Sequence, residues 1–177
     1  MASVIEPKVI WLTGLSGAGK STIADGLLRA LTNLNMEARI LDGDELRATI
    51  SKDLGFSAED RKENIRRAAQ LAKAILDQGK VAIVALISPY AEDRQLAKNS
   101  FAKGHFCEVY IDTPLETCID RDPKGLYSKA IRGDIKNFTG IDAPYEPPKN
   151  PDLVLSTKNH SPDDMVQALL VYLGLTS

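Results

Sequence analysis

The chain lacks the features that would carry a protein to a polyanion or a membrane. Its 22 basic and 24 acidic side chains leave a formal net charge of −2, so no overall positive field draws nucleic acid or an anionic bilayer. Any anion must therefore be held by a local cluster. No apolar run approaches the ~18 residues of a membrane span. The opening Met1-Ala-Ser-Val-Ile-Glu-Pro lacks the charged and apolar regions of a signal peptide, which predicts a cytoplasmic protein. Cysteine is scarce: Cys107 and Cys118 stand alone, with no CxxC and no His-rich context, so core thiols are expected instead of a redox or metal site. Internal repeats and low-complexity segments are missing as well.

What is present suits a compact enzyme. Hydrophobic residues make up 44% and charged residues 26% of 177 positions, an ordinary composition for one globular domain spanning 1–177. Apolar, β-rich runs alternate with helix-like stretches, the pattern of an α/β domain with a mainly parallel sheet. Val9 to Thr13 reads as a first strand, Ser21 to Asn33 as a helix with Ile23, Leu27, Leu28 and Leu31 on one face, and Ala38 to Leu41 as a second strand. Ser57-Ala-Glu-Asp60 announces a long helix by the capping-box pattern, and Gly79 closes it. The uninterrupted apolar run Val81 to Ile87 predicts a strand in the middle of the sheet. Ser88-Pro89 then predicts an N-cap and first helical residue, opening a helix to about Ser100. Phe106 to Ile111 reads as strand, and Thr113-Pro-Leu-Glu116 repeats the capping-box pattern. From Arg121 to Asn150 charges, glycines and prolines replace periodicity, which predicts a lid or binding loop. A last strand, Leu153 to Leu155, and a capped helix from Ser161 complete the chain.

The chemistry begins at Gly14-Leu-Ser-Gly-Ala-Gly19-Lys20-Ser21, which matches GxxxxGK[ST] between a predicted strand and a predicted helix. Its fixed positions would match by chance on the order of once in a hundred such sequences, before the strand and helix are required. Glycines let the backbone wrap phosphate oxygens, and successive N–H groups plus a helix N-terminus favour negative charge. Lys20 is expected to reach the β- and γ-phosphates of ATP, and the Ser21 hydroxyl to ligate Mg²⁺.

Ligands of open α/β sheets bind beyond the carboxyl ends of the strands, so those ends are the next place to read. The second strand ends in Asp42-Gly43-Asp44, a pair of carboxylates that can hold Mg²⁺ or accept a hydroxyl proton, or can cap the following helix. Ser88 stands after Ile87, where a motor-type or switch-type protein would carry an acidic residue. No NKxD guanine signature occurs, and the DxxG at Asp122 to Gly125 follows the wrong strand for a GTPase switch. Arg47, Arg61 and Asn64 are candidates for an acceptor pocket, because Arg61 and Asn64 project from one helix face and a guanidinium fork fits sulfate, phosphate or carboxylate. Phe56 and Phe138, each flanked by polar residues, stack on a flat base or pack a loop.

Several longer runs narrow this reading. GLSGAGKST at Gly14 to Thr22, LDGDELR at Leu41 to Arg47 and DLGFSAEDRKENIRR at Asp53 to Arg67 are followed by ISPY at Ile87 to Tyr90. RDPKGLYSKA at Arg121 to Ala130 and FTGIDAPYEPP at Phe138 to Pro148 complete the series. In this order they resemble adenylylsulfate kinase over nearly the whole chain. The resemblance implies a P-loop kinase fold, usually homodimeric, that uses ATP and Mg²⁺ to phosphorylate adenylylsulfate on its 3′-hydroxyl during sulfate assimilation.

The same resemblance implies an ATP site of Gly14, Leu15, Ser16, Gly17, Ala18, Gly19, Lys20, Ser21 and Thr22, with Arg121 near the base. It implies an acceptor site of Asp42, Asp44, Arg47, Phe56, Arg61, Asn64, Ile87, Ser88 and Lys124, with Phe138 closing the far side of the adenine. Lys20, Asp44 and Ser88 are the implied catalytic group, Ser21 and Asp44 the implied metal ligands, and the serine of ISPY is described in the family as a phosphoserine intermediate. Glu45, Ala48 and Ser128 stand where Asn, His and Lys are frequent in the family. Without the resemblance, a kinase for another small metabolite and a P-loop module that senses nucleotide both remain open.

Overall fold

The computed structural model describes residues 5–176. Five parallel strands, β1 (Val9–Thr13), β2 (Ala38–Asp42), β3 (Val81–Ala85), β4 (Phe106–Asp112) and β5 (Leu153–Ser156), form one sheet in the order β2-β3-β1-β4-β5. Helices cover both faces: α1 (Lys20–Asn33), α2 (Gly43–Ala48), α3 (Ala58–Asp77), α4 (Ala91–Asn99), α5 (Leu115–Arg121), α6 (Leu126–Ile131) and α7 (Pro162–Tyr172).

The period-2 alternation of side chains along each strand splits the core in two. Ile10 and Leu12 of β1 and Val81, Ile83 and Ala85 of β3 face α1 and α7, joined by Ile23, Leu27, Leu31 and Leu169. Val9 and Trp11 of β1 and Ala82 and Val84 of β3 face the opposite layer, where α3 contributes Ile65, Ala68, Ala72 and Ile75. The run Val81 to Ile87 is thus apolar because both of its faces are covered, as the sequence predicts, but the middle of the sheet belongs to β1. β1 is equally apolar and equally buried, so composition alone does not rank the two.

Three expected helix starts differ from what is observed. Ser57 caps α3 through its Oγ, which accepts from the Asp60 amide at 3.1 Å, but the Asp60 carboxylate turns away to accept from Gly55 N–H at 3.0 Å. That bond ties the preceding loop to the helix and leaves half a capping box. Ser88-Pro89 does not open α4: the helix begins at Ala91 with Tyr90 as N-cap, and Ser88 lies in the left-handed region at φ 51°. Thr113 does not cap α5, whose N-cap is Pro114; the Thr113 hydroxyl donates instead to the Ala18 carbonyl at 2.9 Å, bracing the turn before α1. At Ser88 and Thr113 a tertiary partner outcompetes the local one, and at Asp60 a loop amide five residues back does. The capping box at Ser161 and Asp164 forms in full.

Ile83, fully buried between β2 and β1, tests the packing directly. Ile83→Ala is expected to destabilise the fold by about 2–5 kcal/mol through lost burial and the cavity left behind. Urea unfolding checks it; a loss below about 1 kcal/mol is the contrary result.

Candidate active site

The carboxyl ends of β1, β2 and β3 open into a single cleft of about 780 Å³, within the range of small-molecule sites. Its floor is the turn between β1 and α1. Gly14 stands where a Cβ would meet the Ile111 carbonyl at 2.8 Å, so only glycine lets β1 pass that close to β4 before the chain turns. Gly19, at φ 111°, then rotates the backbone into α1, a conformation closed to side-chain-bearing residues. Ser16, Gly17, Ala18, Gly19, Lys20, Ser21 and Thr22 line the cleft, whereas Gly14 is buried beneath it and Leu15 points into a neighbouring groove.

Lys20 is buried, and its Nζ donates to the Gly14 carbonyl at 2.8 Å and the Leu15 carbonyl at 2.7 Å. Burial pushes its ammonium down from 10.5 to about 8, a shift that the carboxylates of Asp42 and Asp44 partly offset. Ser21 Oγ donates to Asp42 Oδ2 at 2.6 Å, while Asp42 Oδ1 accepts from the Asp44 amide at 3.0 Å and caps α2. Asp42 thus both caps a helix and faces the loop. The Asp44 carboxylate is instead paired with Lys124, which reaches across the cleft mouth from the 121–150 segment.

The opposite wall gathers the acceptor candidates. Arg47 and Arg61 lie over the ring of Phe56, with guanidinium carbons 4.3 and 5.6 Å from its centroid. Both forks are engaged by backbone: Arg47 donates to the Gly55 carbonyl at 2.5 Å, and Arg61 to those of Phe56 at 3.1 Å and Asn137 at 2.7 Å. Phe56 is half exposed over the cleft, whereas Phe138 is buried edge-on against Tyr127, with centroids 4.9 Å apart. Asn64 is buried beside Arg61, and its Oδ1 has no hydrogen-bond partner. Ile87 and Ser88 complete this side. Ser88 Oγ accepts from Trp11 Nε1 at 2.9 Å and lies 3.3 Å from the Leu86 carbonyl, to which it donates.

Arg121 lies across the loop from this wall, its Nη1 donating to the Gly17 carbonyl at 3.1 Å. Every binding or catalytic residue expected from the sequence apart from Gly14 and Leu15 therefore borders one space, with a phosphate-type loop on one side and the guanidinium groups of Arg47 and Arg61 on the other.

Known proteins resemble this chain over nearly its whole length. The profile of the family described as adenylylsulphate kinase matches residues 6–156. An adenylyl-sulfate kinase of Pseudomonas aeruginosa is 52% identical over 168 residues, covering 95% of this chain and 86% of that protein. The structure of the Mycobacterium tuberculosis APS kinase in complex with AMPPNP and APS superposes with a TM-score of 0.92 at 47% identity, covering 97% of this chain and 99% of that one. A hexameric APS kinase from Thiobacillus denitrificans matches with a TM-score of 0.72 at 30% identity, over 96% of this chain and 29% of that chain. The chain belongs to the adenylylsulphate kinase family.

Sequence reasoning missed part of this kinase cleft. Thr157, His160, Pro162 and Met165, from the β5–α7 junction, line it on the side of Arg121. The strand-end rule that pointed to Asp42 and Ser88 also points here, because these residues follow β5. Thr139, buried with an unpartnered Oγ1, lines it beside Phe138. Its neighbours in FTGID gave no sign of its burial.

The oxygen donors Ser21 and Asp42 suit a hard divalent cation. Among the described residues there is no group of three or more His, Cys, Asp or Glu that could hold a metal ion. Also among the described residues, no helix is long and apolar enough to cross a membrane.

The lowered Lys20 value has a measurable consequence. Between about pH 8 and 10.5 the unfolded chain holds a proton that the folded chain has lost, so this group's contribution to stability rises with pH across that window. Nucleotide phosphates restore the charged form, so binding at pH 8 is expected to take up as much as about half a proton, and almost none at pH 6. Calorimetry in two buffers of unlike ionisation enthalpy measures this uptake; equal uptake at both pH values contradicts it.

Proposed function

We infer that the chain transfers the γ-phosphoryl group of ATP to the 3′-hydroxyl of adenylylsulfate, giving ADP and 3′-phosphoadenylylsulfate, with residues 1–177 acting as one domain. The observation that carries this reading is one cleft, in a chain of this family, that joins the loop at Ser16 to Thr22 with an acceptor wall of Arg47, Phe56, Arg61 and Asn64. The APS kinase of Mycobacterium tuberculosis, with AMPPNP and APS bound, supports it.

The charges divide into two tasks. Lys20 and the loop amides neutralise the β- and γ-phosphates, and the buried position of Lys20 keeps water from screening that interaction. Arg47 and Arg61 exchange backbone partners for the sulfate and phosphate oxygens of the acceptor, Asn64 offers it an amide, and Phe56 and Phe138 flank its adenine. Ser21 and Asp42, the latter in place of the Asp44 expected from the sequence because Asp44 is paired with Lys124, would hold Mg²⁺, which would supply charge neutralisation on the transferred group. Asp44 orients the 3′-hydroxyl and takes its proton, once Lys124 turns from Asp44 to the phosphates.

Transfer is direct, without a phosphoserine at Ser88. The Ser88 hydroxyl is buried between an indole N–H and a backbone carbonyl, and neither can remove its proton. Arg121 and the residues after β5 hold the ATP base. A cytoplasmic location and a homodimeric assembly complete the proposal; sedimentation at working concentration decides the assembly, and the hexamer of the Thiobacillus denitrificans protein is the alternative outcome.

Incubation with ATP, Mg²⁺ and adenylylsulfate, followed by separation of the 3′-phosphorylated product, tests the activity itself. Lys20→Ala is expected to remove turnover while the far-UV spectrum stays native. Asp44→Asn is expected to lower kcat by about 10²–10⁴-fold, the usual contribution of a positioned base. Ser88→Ala is expected to retain turnover with sequential kinetics. A labelled phosphoenzyme that turns over competently sinks direct transfer.

A further inference from the structure

Behind the acceptor wall lies a buried cation that the reaction does not use. Arg94, in the first turn of α4, is 2% exposed and does not border the cleft. Its Nη1 donates to the Ser88 carbonyl at 2.7 Å, its Nη2 to the Glu146 carbonyl at 2.6 Å, and its Nε lies 3.6 Å from Glu108 Oε2. The guanidinium carbon also stands 5.9 Å from the centroid of the Tyr145 ring. One planar fork thus joins the turn after β3, the trailing end of the 121–150 segment and strand β4.

The surrounding bonds converge on the same two segments. Glu146 N–H donates to the Pro89 carbonyl at 2.8 Å, and Ala91 N–H to Glu146 Oε1 at 3.0 Å. The Thr13 and Tyr145 hydroxyls are 2.9 Å apart, and Thr13 donates to the Ile87 carbonyl at 2.6 Å. Ser88, held between these groups, has φ 51°, a left-handed backbone that a side-chain-bearing residue keeps only when its surroundings impose it. Arg94 is the charged member of those surroundings, and Glu108 supplies the countercharge that permits it to be buried.

We propose that Arg94 is a positioning residue for the acceptor: by clasping the Ser88 and Glu146 carbonyls it fixes the wall formed by Ile87, Ser88 and Pro89 and anchors the segment that carries Phe138. This inference rests on the reading of the cleft as an adenylylsulfate kinase site. Apart from a long bond from the Gly14 N–H to the Ile87 carbonyl at 3.4 Å, the nucleotide half is secured by its own contacts, Lys20 on Gly14 and Leu15, Tyr127 on Ser16, and Arg121 on Gly17. Loss of the clasp therefore weakens the acceptor side selectively.

Steady-state kinetics of Arg94→Met and Arg94→Lys against the wild-type enzyme separate this role from a purely structural one. Arg94→Met is expected to raise KM for adenylylsulfate roughly tenfold or more while KM for ATP stays within about twofold, because two buried carbonyls lose a charged donor. Arg94→Lys, able to satisfy one carbonyl, falls between. An equal rise for both substrates, or a fall in kcat with KM for adenylylsulfate unchanged, overturns the proposal. Hydrogen exchange judges the clasp without substrate: the amides of Ala91 and Glu146 exchange faster in Arg94→Met while those of α7 do not change, and unaltered exchange at both also overturns it. Should Arg94→Met fail to fold, Arg94→Lys and Tyr145→Phe, which removes only the bond to Thr13, give the same two readouts. If the wild-type enzyme does not phosphorylate adenylylsulfate, the functional reading fails while the exchange data still decide the clasp.

Discussion

The site depends on β1 being flanked by strands on both sides and covered on both faces. A strand so enclosed leaves no room for side chains where it ends, and Gly14 meets that limit against the Ile111 carbonyl. The turn that follows is consequently made at the bottom of the cleft, with the sheet on one side and the first turn of α1 on the other. Lys20 reaches inward from that turn, and its ammonium is buried with two backbone carbonyls as direct partners. The architecture thus sets the local dielectric before any ligand enters, and a charge placed there acts on phosphate with little competition from water.

Burying cations in a chain of net charge −2 requires each of them to be balanced locally. Three solutions occur around one cleft. Lys20 meets carbonyls and has its ammonium pushed down toward neutrality by burial. Arg61 meets carbonyls too, and burial likewise lowers its value, but a guanidinium stays charged at any ordinary pH and so remains an anion receptor. Arg94 sits closest to full burial and alone has a carboxylate, Glu108, within 4 Å. The buried cations that line the cleft, Lys20 and Arg61, hold on to backbone oxygens that a ligand can replace. The cation behind it is committed to the scaffold.

Much of this was legible in the sequence because the signals are local. The loop Gly14 to Ser21, the cap at Ser161 and the apolar runs of β1 and β3 each depend on residues a few positions apart. The failures share a cause. Ser88-Pro89 and Thr113-Pro114 have the composition of helix starts, yet Ser88 is taken by Trp11 and Arg94, and Thr113 by Ala18. Those partners lie 77, 6 and 95 positions away, and only the first and last are beyond the reach of a local pattern. Arg94 was within reach, but a charged residue in the first turn of an amphipathic helix reads as solvated surface. Thr157 and His160 were missed because the loop after β5 carries no motif, although its place at a strand end was enough to nominate it.

The contacts that fasten the 121–150 segment differ widely in strength. Its trailing end, Tyr145 and Glu146, is sewn to β1, β3 and α4 by Thr13, Pro89, Ala91 and Arg94. Its middle holds its own shape, with the Asp142 carboxylate accepting from the amides of Asn137 and Phe138. Its leading part is fastened to the turn before α1 by Tyr127 on the Ser16 carbonyl and Arg121 on the Gly17 carbonyl, and it meets the far wall only through Lys124 and Asp44, an exposed ion pair of the kind that contributes little. Of all the contacts this segment makes across the cleft, the Lys124–Asp44 pair is therefore the one that costs least to break, and on the proposed reading it is the one that separates when Asp44 takes up the acceptor.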